Sequence, residues 1–180
     1  MRCLRYNVAS TLDGFIASFD GTTDWIVDDS TIDFTTLYAS FSTFVMGRKT
    51  WETLLAYGDQ NPLREKPRDA IVVFSRTMSP EQHRDITVIS GDIVEYMEAL
   101  KKCDEGGTKD IWLYGGGQVA SCLLDARLVD TVEVAIMPVL IGDGIRLVEK
   151  GTKNHWKLQL QSVEKLEKSG ILMSKYRVLY

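Results

Sequence analysis

Cysteine is scarce and scattered. The chain has three, Cys3, Cys103 and Cys122. An odd, widely spaced set does not build a disulfide framework; it fits reduced thiols and hence a cytoplasmic protein. Histidine is scarcer still. His83 and His155 lie far apart in sequence, and no cysteine pair has ligand spacing, so no metal is expected. Long apolar runs are missing too. Nothing approaches the roughly 18 residues of a membrane-spanning segment, and Arg2 and Arg5 lead into polar residues rather than a signal-peptide core. Positive charge is not in excess: a net charge of −4 argues against nucleic acid as the main partner, and an anionic ligand would need a local cluster of bases. There is no internal repeat and no low-complexity linker. What remains is a chain of 180 residues, 44% apolar and 26% charged. That profile fits one domain, residues 1–180, with a sizeable core.

The chain is organised around Ile111-Trp112-Leu113-Tyr114-Gly115-Gly116-Gly117-Gln118-Val119. Four bulky residues predict a strand buried on both faces. Three glycines stop it, and Gln118 to Leu124 predicts a helix. A strand that ends in glycines and opens into a helix can hold a phosphate. Glycine lets the backbone approach a ligand, and the helix start offers unpaired N–H groups with a partial positive charge. The plainer alternative is a tight turn with no ligand. The run is neither a dinucleotide-binding GxGxxG fingerprint nor a Walker loop, because the acidic residue of the first and the Gly-Lys-Ser/Thr of the second are missing.

Along the chain, Leu4 to Ser10 predicts a strand, and Asp13-Gly14 a turn that the Asp13 carboxylate caps. Ser18 to Asp24 is a polar loop with a second Asp-Gly, long enough to cover a site; Trp25 and Ile26 then return to the core. Phe34, Leu37, Tyr38 and Phe41 predict a short amphipathic helix, with Ser30 or Thr31 as its cap and Asp33 in its first turn. Thr43 to Met46 reads as a buried strand. Gly47-Arg48-Lys49-Thr50 after it is a second strand–glycine–helix junction, now with two cations and a hydroxyl. Two bases in a first turn oppose the helix dipole, which favours an anionic ligand there. Ala70 to Phe74 is the next buried strand, closed by Ser75 and Arg76, a hydroxyl and a guanidinium suited to a ribose phosphate. A short strand follows over Ile86 to Ile89, then a helix from Ser90-Gly91-Asp92 to about Cys103, a turn at Glu105-Gly106-Gly107-Thr108, and a strand over Thr131 to Met137. Two alternating segments around Lys168-Ser169-Gly170 predict a C-terminal hairpin. Strand–helix alternation for two thirds of the chain, then strands, gives an α/β fold with a parallel core and an antiparallel edge. The ends at 47, 75 and 115 fall along one sheet edge.

The Met46-Gly47-Arg48-Lys49-Thr50-Trp51-Glu52 segment and the glycine run resemble dihydrofolate reductase. Ser10-Thr11-Leu12-Asp13-Gly14-Phe15-Ile16-Ala17 and Met137-Pro138-Val139-Leu140-Ile141-Gly142-Asp143-Gly144 resemble the reductase domain that ends the bacterial bifunctional deaminase-reductase of riboflavin synthesis. No His-x-Glu and no Cys-x-x-Cys accompanies them, so the expected form is a stand-alone reductase without a fused deaminase. The resemblance implies a dihydrofolate reductase-like three-layer fold, with a mixed, mostly parallel eight-stranded sheet flanked by helices. It implies an NADPH-dependent reductase of 5-amino-6-(5-phosphoribosylamino)uracil type, acting on a C=N, C=O or C=C bond of a small heterocycle, and a homodimer paired through the late strands. Dihydrofolate reductase is one alternative, and a non-catalytic NADPH-binding sensor or interaction protein is another.

Carried over by position, the backbones of Ala9 and Ile16 would touch the nicotinamide. Gly47, Arg48, Lys49 and Thr50 would hold the pyrophosphate and adenosine phosphate, and Ser75 and Arg76 the 2′-phosphate. Gly115, Gly116, Gly117, Gln118 and Val119 would line the pyrophosphate, with Tyr114 beside them in the cofactor set. The family's cis Gly-Gly bond would fall at Gly115–Gly116 or Gly116–Gly117. Asp33 is the candidate for proton supply or substrate anchoring, with Asp13 and Asp24 behind it, since a useful acid must sit in the pocket with a raised pKa.

Overall fold

The computed structural model describes residues 1–103, 109–149 and 155–180; the turn expected at Glu105-Gly106-Gly107-Thr108 lies outside them. Apolar runs become the middle of the sheet. β1 (Leu4–Thr11), β3 (Phe41–Gly47), β4 (Ile71–Phe74), β5 (Thr87–Ile89), β6 (Asp110–Gly115) and β7 (Thr131–Met137) are parallel, and β10 (Leu172–Leu179) and β9 (Lys157–Lys165) close one side antiparallel, in the order β5-β4-β3-β6-β1-β7-β10-β9. The expected mixed eight-stranded sheet with an antiparallel end is therefore present. β6 lies between β1 and β3, pairing Leu4 with Ile111 on one side and Phe44 with Trp112 on the other. That central place explains its unbroken bulky sequence.

Helices cover both faces. α3 (Ile93–Lys102) and α4 (Gly117–Asp125) supply Met97, Ala120, Leu123 and Leu124 to a core with Leu4, Tyr6, Ile111 and Leu113. α2 (Arg48–Ala56) supplies Trp51 and Leu54 to a second core with Phe44, Met46, Ile71 and Trp112, against which α1 (Phe34–Ala39) lays Leu37 and Tyr38. α1 stops at Ala39, short of the expected Phe41, which opens β3 instead and is buried there. Its N-cap is Asp33 itself, whose carboxylate accepts from the Thr36 N–H at 2.9 Å; Ser30 and Thr31 lie outside the helix. All three residue types cap well, so the choice fell to chain geometry rather than propensity.

Arg5 ties the sheet together. Its guanidinium makes a two-point ion pair with Glu133 at 2.8 and 2.7 Å and reaches Asp110 at 3.2 Å, joining β1 to β7 and β6. Burial pushes the Glu133 carboxyl upward, but Arg5 and Lys175 outweigh it and hold the group below its usual range.

Two short strands escaped sequence reading. β2 (Phe15–Ala17) pairs antiparallel with β8 (Ile145–Arg146), folding the Gly142-Asp143-Gly144 loop back over the end of β1. Segments of two and three residues have too little periodicity to read.

Candidate active site

The C-terminal ends of β4, β3, β6 and β1 stand side by side, so Ser75, Gly47, Gly115 and Ala9 fall along one sheet edge in that order. Helices start at two of these ends. α2 begins after Gly47 and α4 after Gly116, and neither N-terminus has a side-chain cap. By contrast, Asp33 caps α1 and Asp92 caps α3 through the N–H groups of Val94 and Glu95. The helices beginning on this edge thus leave their first N–H groups open to a ligand, while the others satisfy theirs internally. The two open ends are adjacent. A Cβ added at Gly47 would stand 3.3 Å from Val119 and 4.0 Å from the Gly116 nitrogen, and one added at Gly116 would stand 3.7 Å from the Thr50 hydroxyl.

The three glycines of the run differ. Gly115 has φ +121° and is joined to Gly116 by a cis peptide. Only glycine adopts that φ freely. A methyl on Gly117 would overlap the Arg146 carbonyl oxygen, so that glycine admits a neighbouring strand of the protein. Gly116 has neither constraint: its φ is −79° and a methyl there meets nothing closer than Thr50. It is the position whose bareness the protein itself leaves unused.

Around this junction, Arg48 and Lys49 are exposed, Arg48 with an i,i+4 ion pair to Glu52 at 3.5 Å. Ser75 is buried, its hydroxyl accepting from the Thr77 and Met78 N–H groups at 3.2 and 3.1 Å, and Arg76 is exposed beside it. Gln118 is exposed and Val119 buried on the first turn of α4. Ile16 lies against Gly115, its Cδ1 within 3.8 Å of the position a Cβ would take. Ala9 belongs, with Trp25, Ile32, Ala135 and Met173, to the half-buried residues packed against the Met137, Leu166 and Ile171 core.

The carboxylates are placed otherwise than a proton source requires. Asp13 accepts from the Thr11 hydroxyl at 2.6 Å and from the Gly142 N–H at 2.8 Å, and these bonds hold its pKa below the usual range. It clasps the first turn to the 141–142 backbone, extending the capping role expected of it. Asp33 is exposed, and the Thr36 hydroxyl and N–H lower its pKa as well. Neither has the raised pKa that proton supply would need. Asp24 is exposed on the loop.

Two features went unread in the sequence and one was read in part. Trp25, expected to return to the core, is half-buried with an indole N–H that has no partner, and Ile26, expected there with it, is 38% exposed. Asp29 is buried and bonded to Thr31, and Ser169 on the hairpin turn, together with Thr31, holds its pKa at about 2. Tyr38 and Tyr114 join hydroxyls below the glycine turn. A tryptophan after two Asp-Gly turns was a usable signal; the two long-range contacts had none. A cleft of about 320 Å³ is lined by Trp51, Leu63, Arg64 and Lys66 among others. The Lys66 ammonium lies 5.5 Å from the Phe44 ring centre, and Arg64 is ion-paired to Asp59.

A mixed, mostly parallel eight-stranded sheet flanked by helices, with two helix starts at the carboxyl ends of adjacent parallel strands, defines an α/β protein of dihydrofolate reductase-like fold. The Enterococcus faecalis dihydrofolate reductase solved with NADP(H) shares that fold, with a TM-score of 0.68 and 16% identity over 99% of this chain and 97% of that one. A protein from Shewanella sp. PV-4 named for riboflavin biosynthesis superposes with a TM-score of 0.80 and 23% identity, covering 100% of both chains. The uncharacterised protein YyaP of Bacillus subtilis (strain 168) is 35% identical over 146 residues, 77% of this chain and 76% of its own. Residues 2–172 match the RibD C-terminal domain family, and the chain belongs to it. That membership places it among RibD-type reductases, an oxidoreductase class.

Proposed function

We propose that the protein is an NADPH-dependent reductase of a small pyrimidine- or pteridine-like molecule. The observation that carries this reading is the adjacency of the uncapped starts of α2 and α4, with Gly116 bare between them. Each helix start favours an anion by about 0.3–1 kcal/mol, and two of them facing one gap suit a pyrophosphate. Arg48, Lys49 and Thr50 flank that gap. Ser75 and Arg76 lie two strands along the same edge, where a 2′-phosphate would meet a guanidinium. Ala9 and Ile16 mark the nicotinamide end, next to Gly115. NADPH, when bound, supplies a hydride; the chain's own part is to hold the substrate ring against that end and to exclude water.

A dihydrofolate reductase is the less favoured reading. It calls for a carboxylate available to a pterin, and Asp13 and Asp33 are both engaged elsewhere. Purified protein should oxidise NADPH with 5-amino-6-(5-phosphoribosylamino)uracil and show little turnover with dihydrofolate. Binding of NADPH with no turnover on pyrimidine, pteridine, imine or carbonyl substrates would favour a sensor instead.

The reading includes a cytoplasmic homodimer. Among the described residues no helix is long and apolar enough to cross a membrane. Support for the dimer comes from the hairpin, where Leu158, Leu160, Val163 and Leu172 share one face by their pairing and are 44%, 53%, 59% and 38% exposed. Such a patch on an edge strand invites a second copy.

A further inference from the structure

Asp13 is held by Thr11 and Gly142 and Asp33 by Thr36, while Asp29 accepts from Thr31 with one oxygen and keeps its other oxygen buried without a hydrogen-bond partner. Two hydroxyls are placed differently. Tyr114 is the last side chain of β6 before the Gly115–Gly116 turn, and Tyr38 reaches across from α1 so that the two O–H groups hydrogen-bond. Trp112 stacks on Tyr114 with ring centres 4.9 Å apart and lies 4.9 Å from Tyr38, which fixes both rings. Both tyrosines are half-buried. The nearby Tyr57 hydroxyl is bonded to Thr23 at 2.8 Å.

Two phenols carry two protons, and one is used in the bond between them. The phenol that accepts it keeps its own O–H to donate outward. The phenol that donates keeps a lone pair to accept. The pair therefore presents one donor and one acceptor side by side and bears no charge. Burial raises both phenols above the ordinary tyrosine range, so both stay protonated at neutral pH. A donor beside an acceptor matches the edge of a cyclic amide, where C=O and N–H are neighbours. A carboxylate, with two acceptors, would select an edge with two donors instead.

We propose that the Tyr38–Tyr114 hydroxyl pair binds the lactam edge of the substrate ring and so selects a pyrimidinone or pteridinone without a carboxylate. The inference rests on the reductase reading for the site of hydride delivery, but the recognition itself needs only the protein. Calorimetric titration with 5,6-diaminouracil tests it, beside 5,6-diamino-1,3-dimethyluracil, which lacks both ring N–H groups. Wild-type protein should bind the first and bind the dimethyl compound about tenfold more weakly or worse. Tyr38→Phe and Tyr114→Phe should each weaken diaminouracil binding by about threefold to tenfold, the range for one lost hydrogen bond. The double variant should lose less than the product of the two, because the hydroxyls act as a unit. If the pair only ties α1 to β6, both variants melt lower and bind diaminouracil as wild type does, which overturns the proposal. Equal affinity for the two compounds, or no wild-type binding of either, also overturns it. NADPH titration of the same wild-type preparation separates the two readings. Lactam selectivity without NADPH binding would leave this inference standing and remove the reductase reading.

Discussion

A single methyl group distinguishes the glycines of the 115–117 run. At Gly117 it would overlap the Arg146 carbonyl, so Gly117→Ala should cost about 1–3 kcal/mol as an overpacked site and lower the melting temperature by several degrees. At Gly116 the protein leaves room, so Gly116→Ala should melt close to wild type while NADPH affinity falls about tenfold, or roughly 1.4 kcal/mol. Melting curves and NADPH fluorescence titrations on both variants check the pair. Normal NADPH affinity in Gly116→Ala would mean that the run is a structural turn. Asp29 supplies a second prediction at this scale. Ser169 and Thr31 hold its pKa at about 2, below its usual value of 3.8. The stability it contributes is therefore present above pH 3.8 and lost as pH falls toward 2. Urea midpoints of wild type should fall more steeply than those of Asp29→Asn between about pH 5 and pH 2.5. Parallel curves would assign no pH-dependent role to Asp29.

Elements differ in how plainly the sequence declared them. β7 was legible residue for residue, and β3, β4 and β6 nearly so, because a strand buried on both faces needs a run of bulky residues that little else explains. The helix starts at Gly47 and Gly116 were legible from glycine followed by polar residues. β2 and β8 were not, since they exist through their pairing and the tight fit of Gly144 against Ala17, which no local pattern records. The carboxylates near the site were visible as residue types, but their engagement depends on contacts such as Asp13 to Gly142, more than a hundred residues apart. The tyrosine pair was hidden for the same reason. The hairpin was legible as alternation; its irregularity at Lys175/Tyr176, which brings Val163 onto the face of Leu158 and Leu160, was not. If that face pairs two copies, wild type should scatter light at twice the 20.3 kDa chain mass. Leu160→Glu with Val163→Lys should return it to one chain with its circular dichroism unchanged. A wild type that runs as a single chain at micromolar concentration would reject the dimer.

The molecule as a whole is a parallel sheet whose carboxyl edge carries two open helix starts, a serine–arginine end and a turn of glycines, closed on its other side by a hairpin. In the reading proposed above, this edge binds NADPH and the Ser75–Arg76 end reads the 2′-phosphate. The most direct measurement is calorimetric titration of wild type and Arg76→Ala with NADPH and with NADH. The account predicts saturable binding of NADPH at one site per chain, tighter than NADH. Arg76→Ala should lose about 1–3 kcal/mol toward NADPH, the value of a charged hydrogen bond, and almost nothing toward NADH. Equal losses for both cofactors, or no binding of either to wild type, would contradict it.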